Sequence, residues 1–194
     1  MRIAFFSPLP PTKSGIADYS AALLDPLRRL AQVDTFTEKP AKFDASLYDV
    51  ALYQLGNNPH HNFAYEQALE HPGVVVLHEA NLHHLIADLT IRRGDWDGYL
   101  RAIEADAGQQ AFEYARDYVR TVKRPPEYDI PMLRAVLAGS RAAIVHSAAV
   151  ETELRANGFT GPVGRIPHGA WILEGDRMKY RLRLGLAAKD DKEV

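Results

Sequence analysis

A chain of 194 residues can build one full hydrophobic core, with little left over for a second domain. Its 23 Lys and Arg against 25 Asp and Glu leave a net charge of −2 with the histidines neutral, which gives no global electrostatic reason to bind nucleic acid. It has no cysteine, which excludes disulfides, thiolate metal sites and a cysteine nucleophile, and makes a reducing cytoplasm the expected compartment.

From the N-terminus, Arg2 to Ser7 is a nearly continuous apolar run, the pattern of a strand buried on both faces. The run enters a strand directly, without the pattern of a signal peptide, and no apolar stretch approaches transmembrane length. Pro8, Pro10 and Pro11 force the chain out of the sheet as a loop. After Ser14-Gly15 a helical rhythm begins with Ile16, Tyr19, Leu23, Leu24, Leu27 and Leu30. Short strands follow at Val33–Thr37 and Asp49–Leu55, the second ending in the loop signal Gly56-Asn57-Asn58-Pro59. Phe63–Leu69 reads as a helix, and Val74–Leu77 (VVVL) as the most strand-like run in the chain. That strand stops at His78-Glu79, and a helical segment continues through Leu89.

Asp95 to Val119 carries apolar residues at spacings of three and four and predicts one long amphipathic helix, with basic residues from Arg116 to Arg124 near its end. Glu113 and Asp117 interleave with those cations, so a solvated face outweighs an anion-binding patch. Pro131–Leu137 predicts a short helix and Ala142–Val145 a strand. A helix over Ala148–Asn157, capped by Gly158, and a strand at Val163–Ile166 complete the series before Pro167-His168-Gly169. Strands alternating with helices predict an α/β fold with a mostly parallel, doubly wound sheet and helices on both faces.

Ligands of such sheets gather where strands end and loops begin. Four loops therefore carry the candidate chemistry: Pro8–Gly15, Gly56–His61, His78–His84 and Ser147, with His168-Gly169 beside the last. Ser14-Gly15 opens a helix whose free N–H groups and dipole suit an anion, and glycine lets a ligand approach the backbone. His78 stands where a buried strand opens into the crevice, and a neutral imidazole there can exchange hydrogen bonds with a sugar hydroxyl or a phosphate. Glu79 can orient a hydroxyl or cap the next helix, and Asn57 and Asn58 suit either ligand hydroxyls or turn chemistry. The histidine pairs His60-His61 and His83-His84 invite a metal reading. However, His78 and His83 are five apart, which places their rings about 140° apart on a helix, not one turn apart as in a zinc-protease motif. No metal site is therefore expected, and His83 and His84 read as a helix surface with one ring tucked against the core. No Gly-x-Ser-x-Gly elbow, Walker loop or GxGxxG occurs.

Together and in this order, RIAFFSPLPPTKSGIADYS (2–20), YQLGNNPHH (53–61), VVVLHEANLHHL (74–85), AAIVHSAAVETEL (142–154) and IPHGAW (166–171) resemble the N-terminal half of the retaining GT-B glycosyltransferases. These are the group-one glycosyl transferases, which include many bacterial mannosyltransferases. The resemblance implies a Rossmann-like acceptor-side domain at residues 1–170. An interdomain crossover at 171–194 would then lead toward a C-terminal donor-binding domain. It implies transfer of a hexosyl, mannosyl-like group from a nucleotide sugar to a glycan or lipid-linked acceptor. Anomeric configuration is retained, and no metal or other cofactor is needed.

By the same resemblance Gly15 is the phosphate-loop glycine, with Ser14 before it, and His78 is the catalytic histidine near the transferred sugar. Ser147, His168 and Gly169 are carried over as substrate-binding, and Asn57, Asn58 and Glu79 join them from their own positions in the strand-end loops. His168 departs from the Asn of the family's Pro-Asn-Gly turn. The family's Glu-x7-Glu motif and basic donor pair do not occur in these residues, so the isolated chain is expected to bind ligands weakly without turnover. Weak contact with the inner face of a membrane and self-association through apolar surface between Ile166 and Leu186 are further expectations. Two other classes compete: a non-catalytic α/β module binding a small phosphorylated ligand or a partner protein, and a metal-dependent hydrolase built on the histidine pairs.

Overall fold

The computed structural model describes residues 1–122, 126 and 129–169; the sequence expectations for Lys123 to Pro125 and for 171–194 lie outside the described residues. Among the described residues six strands form one sheet in the order β2-β1-β3-β4-β5-β6: β1 (Arg2–Phe6), β2 (Gln32–Phe36), β3 (Val50–Leu55), β4 (Val74–Leu77), β5 (Ala142–Val145) and β6 (Val163–Arg165). Every pairing is parallel, so the sheet is parallel throughout rather than mostly so. Parallel strands need crossovers, and α-helices supply all but the β2-to-β3 connection, which holds only a short 3-10 turn at Ala45–Leu47: α1 (Gly15–Arg28), α2 (Asn62–Glu70), α3 (His83–Leu89), α4 (Trp96–Ala107), α5 (Gln109–Val122), α6 (Arg134–Gly139) and α7 (Ala148–Ala156). The architecture is α/β, Rossmann-like and doubly wound.

The alternation of side chains along each strand sorts the core into two layers. Ile3 and Phe5 of β1 pack with Leu24 of α1, joined by Leu23, Leu27, Val50 and Leu52. Ala4 and Phe6 point the other way, into the larger cluster with Tyr53, Leu55, Val75, Leu77, Ala143 and Val145. That layer also takes Ala64, Tyr65 and Ala68 from α2, and Val136 and Leu137 from α6. Helices therefore cover both faces of the sheet, and burial on both sides explains the unbroken apolar runs that mark the strands in the sequence.

The single helix expected from Asp95 to Val119 is two helices. Gly108 lies between α4 and α5 with φ 84° and ψ 179°, and its N–H donates to the Glu104 carbonyl at 2.7 Å. Ala107 and Ala111 continue the apolar spacing across this break, so periodicity alone runs the two helices together. The helix expected at Pro131–Leu137 starts later, at Arg134. Residue 132 is Met with φ 59°, which is incompatible with a helix, and buried Asp106 accepts hydrogen bonds from Met132 N at 3.0 Å and Arg134 N at 2.6 Å. Gly158 does cap α7, with φ 87°. On α5, Arg116 pairs with Asp117 at 2.9 Å on an exposed face, in keeping with a solvated helix surface.

Candidate functional site

Strand order 2-1-3 means that the chain leaves β1 toward one side of the sheet and returns toward the other. The loops after β1 and β3 diverge at this switch point and open a crevice at the carboxyl edge of the sheet. The β1 loop is anchored at its root: Ser7 N donates to Phe36 O at 3.1 Å, and Ser7 Oγ lies 2.7 Å from Ser20 Oγ on α1. At its far end Ser14 caps α1, its Oγ accepting from Ile16 N at 3.3 Å. The first turn of α1 thus stands at the crevice mouth, where the helix dipole favours an anion.

A cavity of about 390 Å³ occupies this crevice. Ser14, Gly15, Ile16 and Tyr19 form one wall, and Asn58, His78, Glu79, His168 and Gly169 the others. Seven of the nine residues singled out in the sequence therefore meet around one space. A Cβ built on Gly15 would meet no protein atom within 4 Å, so the space beside it is open. A neighbouring, mostly apolar groove of about 340 Å³ runs between α1 and the segment after β6, sharing Tyr19 and Gly169.

Beside the cavity sits a cluster the sequence did not announce. His78 and His146 each follow the last residue of a strand, and those residues, Leu77 and Val145, are paired in register. The two rings are 4.7 Å apart between centroids, and His168 stacks on His146 at 3.8 Å. Tyr19 of α1 meets all three edge-on, at 5.0 Å from His78, 5.3 Å from His146 and 5.4 Å from His168. His78 Nε2 donates to Gln54 Oε1 at 2.8 Å, and His146 Nδ1 donates to the Ile166 carbonyl at 2.8 Å. Burial, reinforced by the neighbouring His146 and His168, lowers the His78 pKa to about 3. Burial likewise lowers that of His146. Both rings are neutral at physiological pH, so His78 can offer a ligand hydrogen bonds but no charge.

The remaining sequence candidates separate into two groups. Asn57 is committed to the fold: its Nδ2 donates to Asn81 Oδ1 at 3.1 Å, and its Oδ1 accepts from Leu85 N at 3.1 Å. Glu79 lines the cavity while accepting from Asn57 N at 2.9 Å, so it ties the β3 and β4 loops together and does not cap the next helix. Asn58 caps the turn Pro59–His61 through His60 N at 3.1 Å and still reaches the cavity. Ser147 is the N-cap of α7, accepting from Val150 N at 3.3 Å, and it lies outside the cavity lining.

Of the histidine pairs, His83 and His61 are fully buried while His84 and His60 are exposed. His83 Nδ1 donates to Ile130 O at 2.6 Å and its Nε2 accepts from Tyr99 OH at 2.8 Å, so one ring of this pair does pack into the core. His61 Nδ1 donates to Gln54 O at 2.9 Å, and burial lowers its pKa to about 4. Among the described residues neither pair assembles a ligand set.

Fold and site together define a doubly wound α/β domain with a polar crevice at the switch point of its sheet, an arrangement used by many nucleotide- and sugar-binding domains. No family model, no curated protein and no solved structure matches the chain. Among the described residues no helix is long and apolar enough to cross a membrane.

Proposed function

We propose that this domain is the acceptor-side half of a nucleotide-sugar-dependent retaining glycosyltransferase that moves a hexosyl, mannosyl-like group to a glycan or lipid-linked acceptor. One observation carries the reading: Ser14-Gly15, Asn58, His78-Glu79 and His168-Gly169, far apart in sequence, line the same cavity at the sheet's switch point. In this reading the donor diphosphate lies against Gly15 and the first-turn amides of α1, held by the dipole and by backbone N–H groups. His78, neutral and oriented by Gln54, exchanges a hydrogen bond with a hydroxyl of the transferred sugar. The apolar groove beside Tyr19 offers the acceptor a surface that excludes water. A donor-holding second domain closes the cleft, and the transfer itself requires no metal ion.

The test is transfer by the protein encoded by the full gene, assayed with a panel of nucleoside-diphosphate hexoses and lipid-linked acceptors. Hexose transfer with retained configuration is expected, and His78→Ala should lower kcat/KM by about 10²–10³-fold, the scale of losing one oriented hydrogen-bonding partner of the reacting sugar, with the fold intact. Undiminished transfer by that variant removes His78 from the site. A protein that binds a phosphorylated ligand but transfers nothing is the non-catalytic binding module instead.

A further inference from the structure

We propose that His78, His146 and His168 form a binding site for one borderline divalent transition-metal ion, of which Zn²⁺ is the type. This inference stands on the geometry of the three rings and does not rest on the transferase reading.

Three imidazoles from three separate loops each offer a ring nitrogen, and these nitrogens lie within 4.8 Å of one another. Tetrahedral zinc with Zn–N bonds of about 2.0–2.1 Å needs its nitrogens about 3.3 Å apart, so the set must close by at most about 1.5 Å. His168 can supply that movement, being exposed and making ring contacts but no hydrogen bond among the described residues. Hydrogen bonding has already sorted the tautomers. The Ile166 carbonyl fixes the proton of His146 on Nδ1, so Nε2 carries the lone pair, and this atom is buried with no hydrogen-bond partner among the described residues. Gln54 Oε1 fixes the proton of His78 on Nε2, leaving the lone pair on Nδ1.

Metal-binding histidines usually donate their second N–H to an oxygen in this way, which fixes the ring and raises the basicity of the ligating nitrogen. An all-imidazole set selects Zn²⁺, Ni²⁺ or Cu²⁺ over Mg²⁺ or Ca²⁺, which demand oxygen ligands. Three protein ligands leave a fourth position open, and because His78 and His168 also line the cavity, an oxygen ligand such as water, a hydroxyl or a phosphate can reach it from there. An ion there competes with a sugar for His78.

Co²⁺ is the spectroscopic probe and Zn²⁺ the calorimetric one, both titrated into the metal-stripped 194-residue chain. One ion per chain is expected, with the intense visible bands of four-coordinate Co²⁺. His146→Ala and His168→Ala should each weaken Zn²⁺ binding at least 100-fold. Gln54→Leu should weaken it about 10–100-fold by freeing the His78 ring. His84→Ala, an exposed histidine outside the cluster, should change nothing. Circular dichroism checks that each variant is folded, and His168→Ala, altered on an exposed loop, remains informative should His146→Ala fail to fold. The proposal is overturned by weak, multi-site binding to the wild type, or by binding that survives both His146→Ala and His168→Ala. These readouts need no turnover, so absence of glycosyl transfer would leave them intact, and absence of metal binding would leave the transferase reading intact.

Discussion

Gly15→Ala separates a ligand-binding glycine from a merely permitted one, because the two assays move in opposite directions. Gly15 is the first residue of α1, its φ is not in the left-handed region, and an added Cβ meets no protein atom within 4 Å. The fold therefore has no need of glycine there. Alanine narrows the unfolded ensemble and suits a helix better, which should stabilise the chain by about 0.5 kcal/mol. For a domain of this size that raises Tm by about 1–2 °C. The same methyl group projects into open space on the cavity side, where hydrogen-bonding a phosphate oxygen to the first-turn amides requires an approach of about 2.9 Å.

A carbon in that gap should weaken binding of inorganic pyrophosphate or a nucleoside-diphosphate hexose at least tenfold, about 1.4 kcal/mol. Calorimetric unfolding measures the first effect. Amide chemical shifts of Ile16 and Ala17 during a ligand titration measure the second. A destabilised variant would refute the helix-start geometry, and unchanged affinity would refute the phosphate contact.

Three further outcomes follow from the same structure. Asn57→Ala should cost about 2 kcal/mol in urea unfolding, because the half-buried ties to Asn81 and Leu85 are lost, whereas Asn58→Ala should cost no more than about 1 kcal/mol and instead lower ligand affinity; equal stability losses would refute the division. Asp106→Ala should cost about 3 kcal/mol, since the amides of Met132 and Arg134 lose their acceptor beneath α6, and a loss under 1 kcal/mol would show that the segment does not depend on it. His61, held near pKa 4 by burial against an ordinary 6.5, binds its proton in the unfolded state first, so stability should fall by up to about 3 kcal/mol as pH drops from about 6.5 to 4; a His61→Gln variant with the same pH slope as wild type would refute this.

Strands were the most legible part of the chain. Runs such as Val74–Leu77 lie between helices in a parallel sheet, which is why they are continuously apolar. The helix boundaries that escaped are those fixed by single backbone conformations or distant partners. Gly108 splits α4 from α5 through a positive φ, and Asp106 sets the start of α6 from 28 residues away. Apolar periodicity carries information about faces and none about either device.

His146 was missed for a different reason, since its signal is present in the sequence but only in two strands compared. VVVLH and AAIVH each end in histidine at the same step past the last apolar residue, and adjacent parallel strands with Leu77 opposite Val145 set the two imidazoles side by side. The alternation then decides which way they face. Val75, Leu77, Ala143 and Val145 fill the larger core layer, so His78 and His146 fall on the face of the sheet covered by α1, where Tyr19 meets them. Gln54 falls on that face by the same count, since Tyr53 and Leu55 take the other, which is why it reaches His78. His78 stands out by its place at a strand end, whereas His146 taken alone reads as a strand-end residue of ordinary kind. Only strand order turns the two into neighbours, and the loop after β6 adds the third. A polar cluster at the carboxyl edge of a parallel sheet is therefore written in the residues just past each strand, legible once the order of the strands is known.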